Sequence, residues 1–403
     1  MKIQLLSAFT FSLLVSAGSS ATADDPIKRH PVGPDQPGLA WAATTEDVPL
    51  LFTTQVSGTR AEGPADKVAA QAHEALSRLA ILLSRSGSSL DRAVKLNFYV
   101  TEDSAYDAVL EAVNARTSGQ PVPVSFVRTR LLEPGALMAV DAVAQLPSAE
   151  TAPRTANLGG LPPAAIGAHV GVLPPGRRVF LSGFAAREPT LAESVREVLD
   201  GQRNTMHHHG LDPSQVVQVK GWISPLDELE VLQTELARFF GPKPVPPVVL
   251  IEWTASGQAE IEFVLAGAKA DPARFSGPLE FATRPGAPAP TRFSHIAFVE
   301  AAQPLIFFAG LYGRAGDPAR QQLRDIYAQL GGLLFDNGSG FRYLVKATYH
   351  NTDSAGRAAL GAIRDVYYDP ARPAAASGVV VAGTGRAGHR ATLEIIAVPL
   401  PRP

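Results

Sequence analysis

Val94-Lys95-Leu96-Asn97-Phe98-Tyr99-Val100 is an apolar run broken by one lysine, and Thr101-Glu102-Asp103 and a helical pattern follow it. The arrangement returns as Val219-Lys220-Gly221-Trp222-Ile223 before Ser224-Pro225-Leu226. It returns again as Val345-Lys346-Ala347-Thr348-Tyr349 before Asn351-Thr352-Asp353. The two intervals between the lysines differ by a single residue. Ahead of each lysine stands a glycine, Gly87, Gly210 or Gly338, at the end of an amphipathic run. A helix C-terminus favours such a residue, which tolerates positive φ. One such match carries no weight; three at one spacing are duplication.

Around these landmarks each unit reads alike. An opening strand lies at 50–56, 178–185 and 304–312. A long helix follows, at 64–84 in the first unit, with Val68, Ala72, Ala75, Leu79 and Leu82 on one face. After the Val-Lys strand come a second helix, at 104–117, 226–240 and 354–368, and two closing strands. Those fall at 124–131 with 138–144, 248–254 with 260–266, and 377–382 with 392–398. The units occupy 37–147, 160–268 and 288–400. The stretches at 148–160 and 268–290, rich in Pro, Gly, Ala and Thr, read as exposed linkers.

The chain of 403 residues suits two or three domains, and 45% hydrophobic with 18% charged residues is a globular composition. A net charge of −2, with no basic strip interleaved with aromatics, gives no reason to expect nucleic acid or an anionic membrane as partner. There is no cysteine, which excludes disulfides, thiolate metal sites, a cysteine nucleophile and lipid attachment. Each unit must then be held by its core, which is feasible at this size. Residues 1–23 read as a signal peptide: Lys2, an apolar stretch from Leu5 to Val15, and Ala21-Thr22-Ala23 before a cleavage point near Ala23. The mature protein is therefore expected to be extracytoplasmic, periplasmic or secreted. No later apolar run approaches the roughly eighteen residues of a membrane span.

The ordered landmarks carry a resemblance. They are Ala69-Ala70-Gln71-Ala72-His73-Glu74-Ala75-Leu76 in a helix, the glycine, the Val-Lys strand, a helix, a Pro-led strand and a last acidic and apolar strand. The second unit adds Pro163-Ala164-Ala165-Ile166-Gly167 and Val179-Phe180-Leu181-Ser182-Gly183. The third closes on Leu393-Glu394-Ile395-Ile396-Ala397-Val398. In this order, and over essentially the whole mature chain, the sequence resembles the RidA/YjgF family. The resemblance implies an α+β fold, an α/β sandwich of chorismate-mutase-like modules. It further implies homotrimers with clefts between neighbouring subunits, and hydrolysis of reactive 2-imino acids to 2-oxo acids and ammonia without a cofactor. Three modules in one chain would then form an intramolecular pseudo-trimer, a monomer in solution, closing the ring that a heterologous interface requires.

Imine hydrolysis on such a substrate needs a guanidinium for the carboxylate and a polar group to place water. The resemblance puts the arginine in a Pro-x-Arg motif opening the penultimate strand and an acidic residue on the last strand. This sequence has Pro123, Pro246 and Ala376 at the arginine positions. Pro370-Ala371-Arg372 looks like the motif but stands early, with Pro373 after it, and proline is disfavoured inside strands. Arg372 is the arginine that would restore the anchor. The acidic position holds Glu260 or Glu262 in the second unit, Ala139 in the first and Thr392 in the third. His169 and Ser182 match cleft-lining positions, and with Glu260 they make the second unit's pocket the most polar.

The expectation is an exported protein that binds a small metabolite between repeats, with the arginine anchor lost. One alternative is an active imine or enamine deaminase using Arg372 or a relocated set of His169, Ser182 and Glu260. Another is a scaffold with filled clefts. Gly383-Thr384-Gly385-Arg386-Ala387-Gly388 matches a dinucleotide motif literally, yet a strand pattern follows it, so it reads as a turn. His207-His208-His209 precede the capping glycine and suit a helix C-terminus better than a metal, so no metal site is expected. Asn337-Gly338-Ser339 fits a glycosylation acceptor but reads first as a turn. The repeated lysines read as facing solvent, and Trp41, Trp222 and Trp253 as core or inter-repeat contacts.

Overall fold

The first unit runs β1 (Ile27–Pro31), β2 (Ala40–Thr45), β3 (Leu50–Thr53), β4 (Val56–Ser57), α1 (Val68–Arg85), β5 (Ala93–Val100), α2 (Tyr106–Arg116), β6 (Val124–Arg128) and β7 (Met138–Gln145). The second runs β8 (Arg154–Ala156), β9 (Val170–Leu173), β10 (Arg178–Leu181), β11 (Phe184–Ala186), α3 (Leu191–His208), β12 (Val216–Ile223), α4 (Leu229–Phe240), β13 (Val248–Glu252) and β14 (Ala259–Ala266). The third runs β15 (Leu279–Ala282), β16 (Ile296–Val299), β17 (Leu305–Phe308), α5 (Ala319–Asp336), β18 (Leu344–Asn351), α6 (Ser354–Tyr367), β19 (Ala375–Val380) and β20 (Ala391–Ala397). This computed structural model describes residues 26–58, 68–254, 258–267, 277–287 and 292–401. The expected signal peptide at 1–23, the first turn of the expected helix at 64–67 and the expected unit start at 288 lie outside the described residues.

The architecture is α+β, with three similar sheets each backed by two helices. The long helices α1, α3 and α5 bury one stripe apiece, such as Leu76, Leu79 and Leu83 of α1. Gly87, Gly210 and Gly338 follow these helices at φ of +83°, +69° and +65°. That is the left-handed conformation a helix stop requires. Strands β7 and β18 are buried along their whole length, because helices cover one face and the neighbouring units the other. Such strands read as continuous apolar runs rather than alternating ones.

Strand order is β8-β9-β3-β7-β5-β6 in the first sheet, β15-β16-β10-β14-β12-β13 in the second and β1-β2-β17-β20-β18-β19 in the third. The leading hairpin of every unit therefore sits on the sheet of another. β9 pairs with β3, β16 with β10, and β2 with β17, which brings the N-terminal hairpin onto the last unit and closes a ring. Each hairpin also touches its own unit, through Ala40 N to Val122 O, Ala168 N to Val245 O and Ser294 N to Ala374 O. The stretches expected to be plain linkers thus contribute strands, β8 in the first and β15 in the second. The Gly383–Gly388 motif lies in the connection from β19 to β20, with no helix after it. Among the described residues no helix is long and apolar enough to cross a membrane.

Layers of corresponding side chains line the pseudo-threefold axis. Phe52, Phe180 and Phe307 form one; Asp141, Glu262 and Glu394 form another around a cavity of about 70 Å³, room for roughly two waters. The repeated lysines, read as solvent-facing, enter this cavity instead, and Lys95 and Lys346 are buried. They are not equivalent. Lys95 faces Val143 and Lys346 faces Ile396, whereas Lys220 faces Glu262, two residues further along. Lys346 bonds Glu262 at 2.5 Å, Lys220 bonds Glu394 at 3.2 Å, and Lys95 donates to the carbonyl of Phe308 at 2.6 Å. Burial pushes the Lys95 ammonium down to about 8. Burial works against the charge of Glu394 too, but Lys220, His350 and Lys95 hold it down at about 2. Trp222 and Trp253 lie buried in an inter-unit cluster with Tyr99, Val249 and Val379. Trp41 packs against the third unit's core.

Candidate functional site: the cleft between the second and third units

At three equivalent places the end of one unit's first core strand meets the penultimate strand of the next. After β3, Gln55 reaches β13; after β10, Ser182 reaches β19; after β17, Gly310 reaches β6. In the first cleft the Gln55 amide bonds both the N–H and the carbonyl of Leu250, at 3.0 and 3.1 Å. Space for about 20 Å³ is left, room for roughly one water and too little for a metabolite. Ala139 takes the acidic position there. In the third cleft a Cβ on Gly310 would lie 2.9 Å from the Ser125 Cβ, and the acidic position is Thr392. Tyr312 meets Tyr106 and His389 edge to face there, and Arg386 lies over both tyrosine rings. Side chains thus occupy both.

The second cleft is open. It encloses about 370 Å³ lined by Gly183, Glu260, Arg284, Arg292, Arg357 and Arg364 among others. An adjoining recess of about 260 Å³ is lined by Arg292, Arg364, Asp365, Tyr368 and Pro370. Glu260 enters from β14, where it lies opposite Trp222 and Ala185. It is buried, and a Cβ on Gly183 would sit 2.0 Å from its Oε1, so only glycine leaves the carboxyl its place. Burial, then the charge of Glu262, raises its pKa to about 7 against Lys346, Arg357 and the Gly378 N–H. Ala376 lies on the wall where the arginine was sought.

Guanidiniums arrive from other elements. Arg357 and Arg364 stand seven residues apart on α6, two turns and hence one face. Arg364 is buried, lies over Tyr349 at 5.1 Å, and donates to the carbonyl of Arg292. Its Nε has no hydrogen-bond partner among the described residues. Arg284 lies 4.0 Å over Phe184, and burial lowers its pKa. Arg292 makes a bidentate pair with Asp365 at 3.0 and 2.9 Å. The cleft therefore joins a carboxyl that titrates near neutrality to a ring of anion-binding groups.

Residues 49–146, most of the first unit, match the family model described as Endoribonuclease L-PSP. That unit belongs to the RidA/YjgF family, and the chain repeats its architecture three times. A YjgF-family protein of Neisseria meningitidis is 23% identical, over 31% of this chain and 97% of its own, with a TM-score of 0.24. A YjgF/YER057c/UK114-family protein of Mycobacterium tuberculosis is 29% identical over 30% of this chain and 99% of its own, with a TM-score of 0.22. A Rid-family protein of Yersinia pestis is 20% identical over 30% and 100%, with a TM-score of 0.28. No curated protein matches the chain.

Of the residues picked out in these RidA-like units, Glu260 lines the open cleft and Ser182 stands behind its wall, beside Gly183 and Ala376. The Ser182 hydroxyl accepts from the Ala376 N–H at 2.9 Å and donates to the carbonyl of Ser294, fastening β10 to the next unit. Glu262 faces the axis, on Lys346 and Ser377. His169 is elsewhere. Its hairpin has crossed to the first sheet, where its carbonyl accepts from Thr54 and its ring from the Leu158 N–H. The corresponding residue at the open cleft is His295, whose carbonyl accepts from Ser182 and whose ring meets Arg284. Burial, then Arg284, pushes His295 down to about 4. Arg372 does not line the cleft either. It donates to the carbonyls of Leu279 and Arg342 and lies over Phe281, held there by the turn that Asp369 makes ahead of β19. His209, from the histidine run, bonds the Thr283 carbonyl and touches Phe298.

Proposed function

We propose that this RidA-family protein is exported and that its cleft between the second and third units binds a small 2-imino acid and hydrolyses it. The observation that carries this reading is Glu260, a buried carboxyl poised near pH 7 on a cavity that four arginines surround. Burying an acid beside another acid is costly without a use for it, and perturbed carboxyls in clefts are where acid–base chemistry is done. Arg284, stacked on Phe184, holds the substrate carboxylate in place of an arginine on β19. Ionised Glu260 takes a proton from water as the water oxygen bonds the imine carbon. Glu260 returns that proton to the nitrogen, the proton of the new hydroxyl follows through the same carboxyl as the C=O forms and the carbon–nitrogen bond breaks, and a 2-oxo acid and ammonia leave. Residues 1–23 support export, and a net charge of −2 favours a small molecule over RNA.

The test is ammonia release from 2-iminopropionate generated in situ. The protein should accelerate it, and Glu260→Gln should lower kcat/KM by about 100-fold or more. Equal rates for the two proteins would remove Glu260 from the chemistry. Pyruvate binding without any acceleration would leave a second reading, a binding protein, which the alanine at 376 favours.

A further inference from the structure

Positive charge in the open cleft exceeds what a simple 2-imino acid would neutralise. Against Arg284, Arg292, Arg357 and Arg364 stand two carboxyls, Glu260, divided between its two forms near pH 7, and Asp365, engaged with both Arg292 nitrogens. Among the described residues no carboxylate makes an ion pair with Arg284, Arg357 or Arg364. One substrate carboxylate occupies one guanidinium fork, so guanidinium remains after it has bound.

Shape points the same way. The cleft of about 370 Å³ would hold roughly a dozen waters, well beyond a three-carbon imino acid, and the recess beside Arg364 extends it. Its cations also stand on two walls. Arg284 is stacked on Phe184 of the second unit, and Arg364 on Tyr349 and Tyr368 of the third. A guanidinium stacked on a ring keeps its edge for a carboxylate. A ligand with one anionic end would leave one wall unmatched.

Resting on the reading of this cleft as the ligand site, we infer that the substrate is a 2-imino dicarboxylate, with its second carboxylate held by the guanidiniums the first leaves free. The experiment measures calorimetric binding of the two products, 2-oxoglutarate and pyruvate, to the full mature chain. 2-Oxoglutarate should bind at least about tenfold more tightly, about 1.4 kcal/mol. Arg357→Ala, a change at an exposed position, should bring the two affinities within about twofold. Arg364→Lys keeps the charge but loses the fork, and should weaken 2-oxoglutarate more than pyruvate. Equal affinities in the wild type, or a preference untouched by both variants, would overturn the inference.

Ammonia release from 2-iminoglutarate and 2-iminopropionate separates it from the hydrolytic reading. Preferential binding of 2-oxoglutarate without ammonia from either imine sinks hydrolysis and leaves the dicarboxylate. Equal turnover of both imines with equal product binding does the reverse. No binding of either product overturns both.

Discussion

A carboxyl with a pKa of about 7 sets a pH dependence. If Glu260 acts as base, kcat/KM should rise through about pH 7 as it ionises, and the profile of Glu260→Gln should lose that limb. Flat wild-type behaviour between pH 6 and 8 would show that another group governs the reaction. Lys95 makes a second residue-scale prediction. Its pKa falls from 10.5 unfolded to about 8 folded because burial strips water from the ammonium. A depressed folded pKa contributes stability that is present above about 10.5 and lost as pH falls through 8. At pH 7 the lysine is charged in both states and its desolvation is fully felt. Lys95→Met should therefore raise unfolding free energy at pH 7 by about 1–3 kcal/mol, and the gain should shrink between pH 8 and 10.5. A loss at pH 7 in denaturant melts would mean that the bond to the Phe308 carbonyl outweighs desolvation.

Elements differ in how far the sequence discloses them. The long helices and closing strands were legible because a period of 3.6 and the apolar runs are local properties, and the glycines at positive φ mark where the helices stop. The leading hairpins were not. β8 and β15 lie in stretches rich in turn residues, and nothing local says which sheet a hairpin will join. That gap misplaced His169, whose unit is the second but whose strand belongs to the first sheet. Register was hidden in the same way. Irregular pairing at Val216/Gln218 and at the corresponding places of the other units decides which residues face the axis. The Val-Lys match therefore aligned Lys220 with Lys95 and Lys346, which lie two residues away from its structural equivalents. Arg357 and Arg364 were readable as one face of a helix, but not as facing Glu260 from another unit. The exchange itself is testable. β2 covers β17, and Arg29 on β1 donates to the carbonyls of Ala93 and Pro121. Removing residues 24–45 should leave the apolar edge Leu305–Phe308 unpaired and promote association or aggregation. A monomeric deletion variant with an unchanged melting temperature would contradict the N-terminal hairpin's place on the third sheet.

Covalent triplication changes what the whole molecule can do. In a homotrimer every cleft carries the same residues, so a change that fills one fills all. Here the three positions are separate in the gene, and they have diverged: Gln55 with Ala139 closes one, Gly310 with Thr392 and edge-to-face tyrosines occupies another, and Gly183 with Glu260 remains open. Freed from symmetry, the third unit can lend α6 arginines to the second unit's carboxyl without placing like charges in two further sites. The axial cluster fits the same logic, since Lys95, Lys220 and Lys346 meet Asp141, Glu262 and Glu394 in unequal pairs that a single repeated sequence could not supply. A ring closed by its own N-terminal hairpin has no cognate edge left for a second chain. Light scattering should therefore give the mass of one mature chain, and ligand titration should saturate at about one equivalent rather than three. A mass of three chains would mean that the exchanged hairpins pair between molecules. One chain with three equivalents would mean that the Gln55 and tyrosine-filled clefts open to ligand, and that the divergence at those positions tunes three sites instead of retaining one.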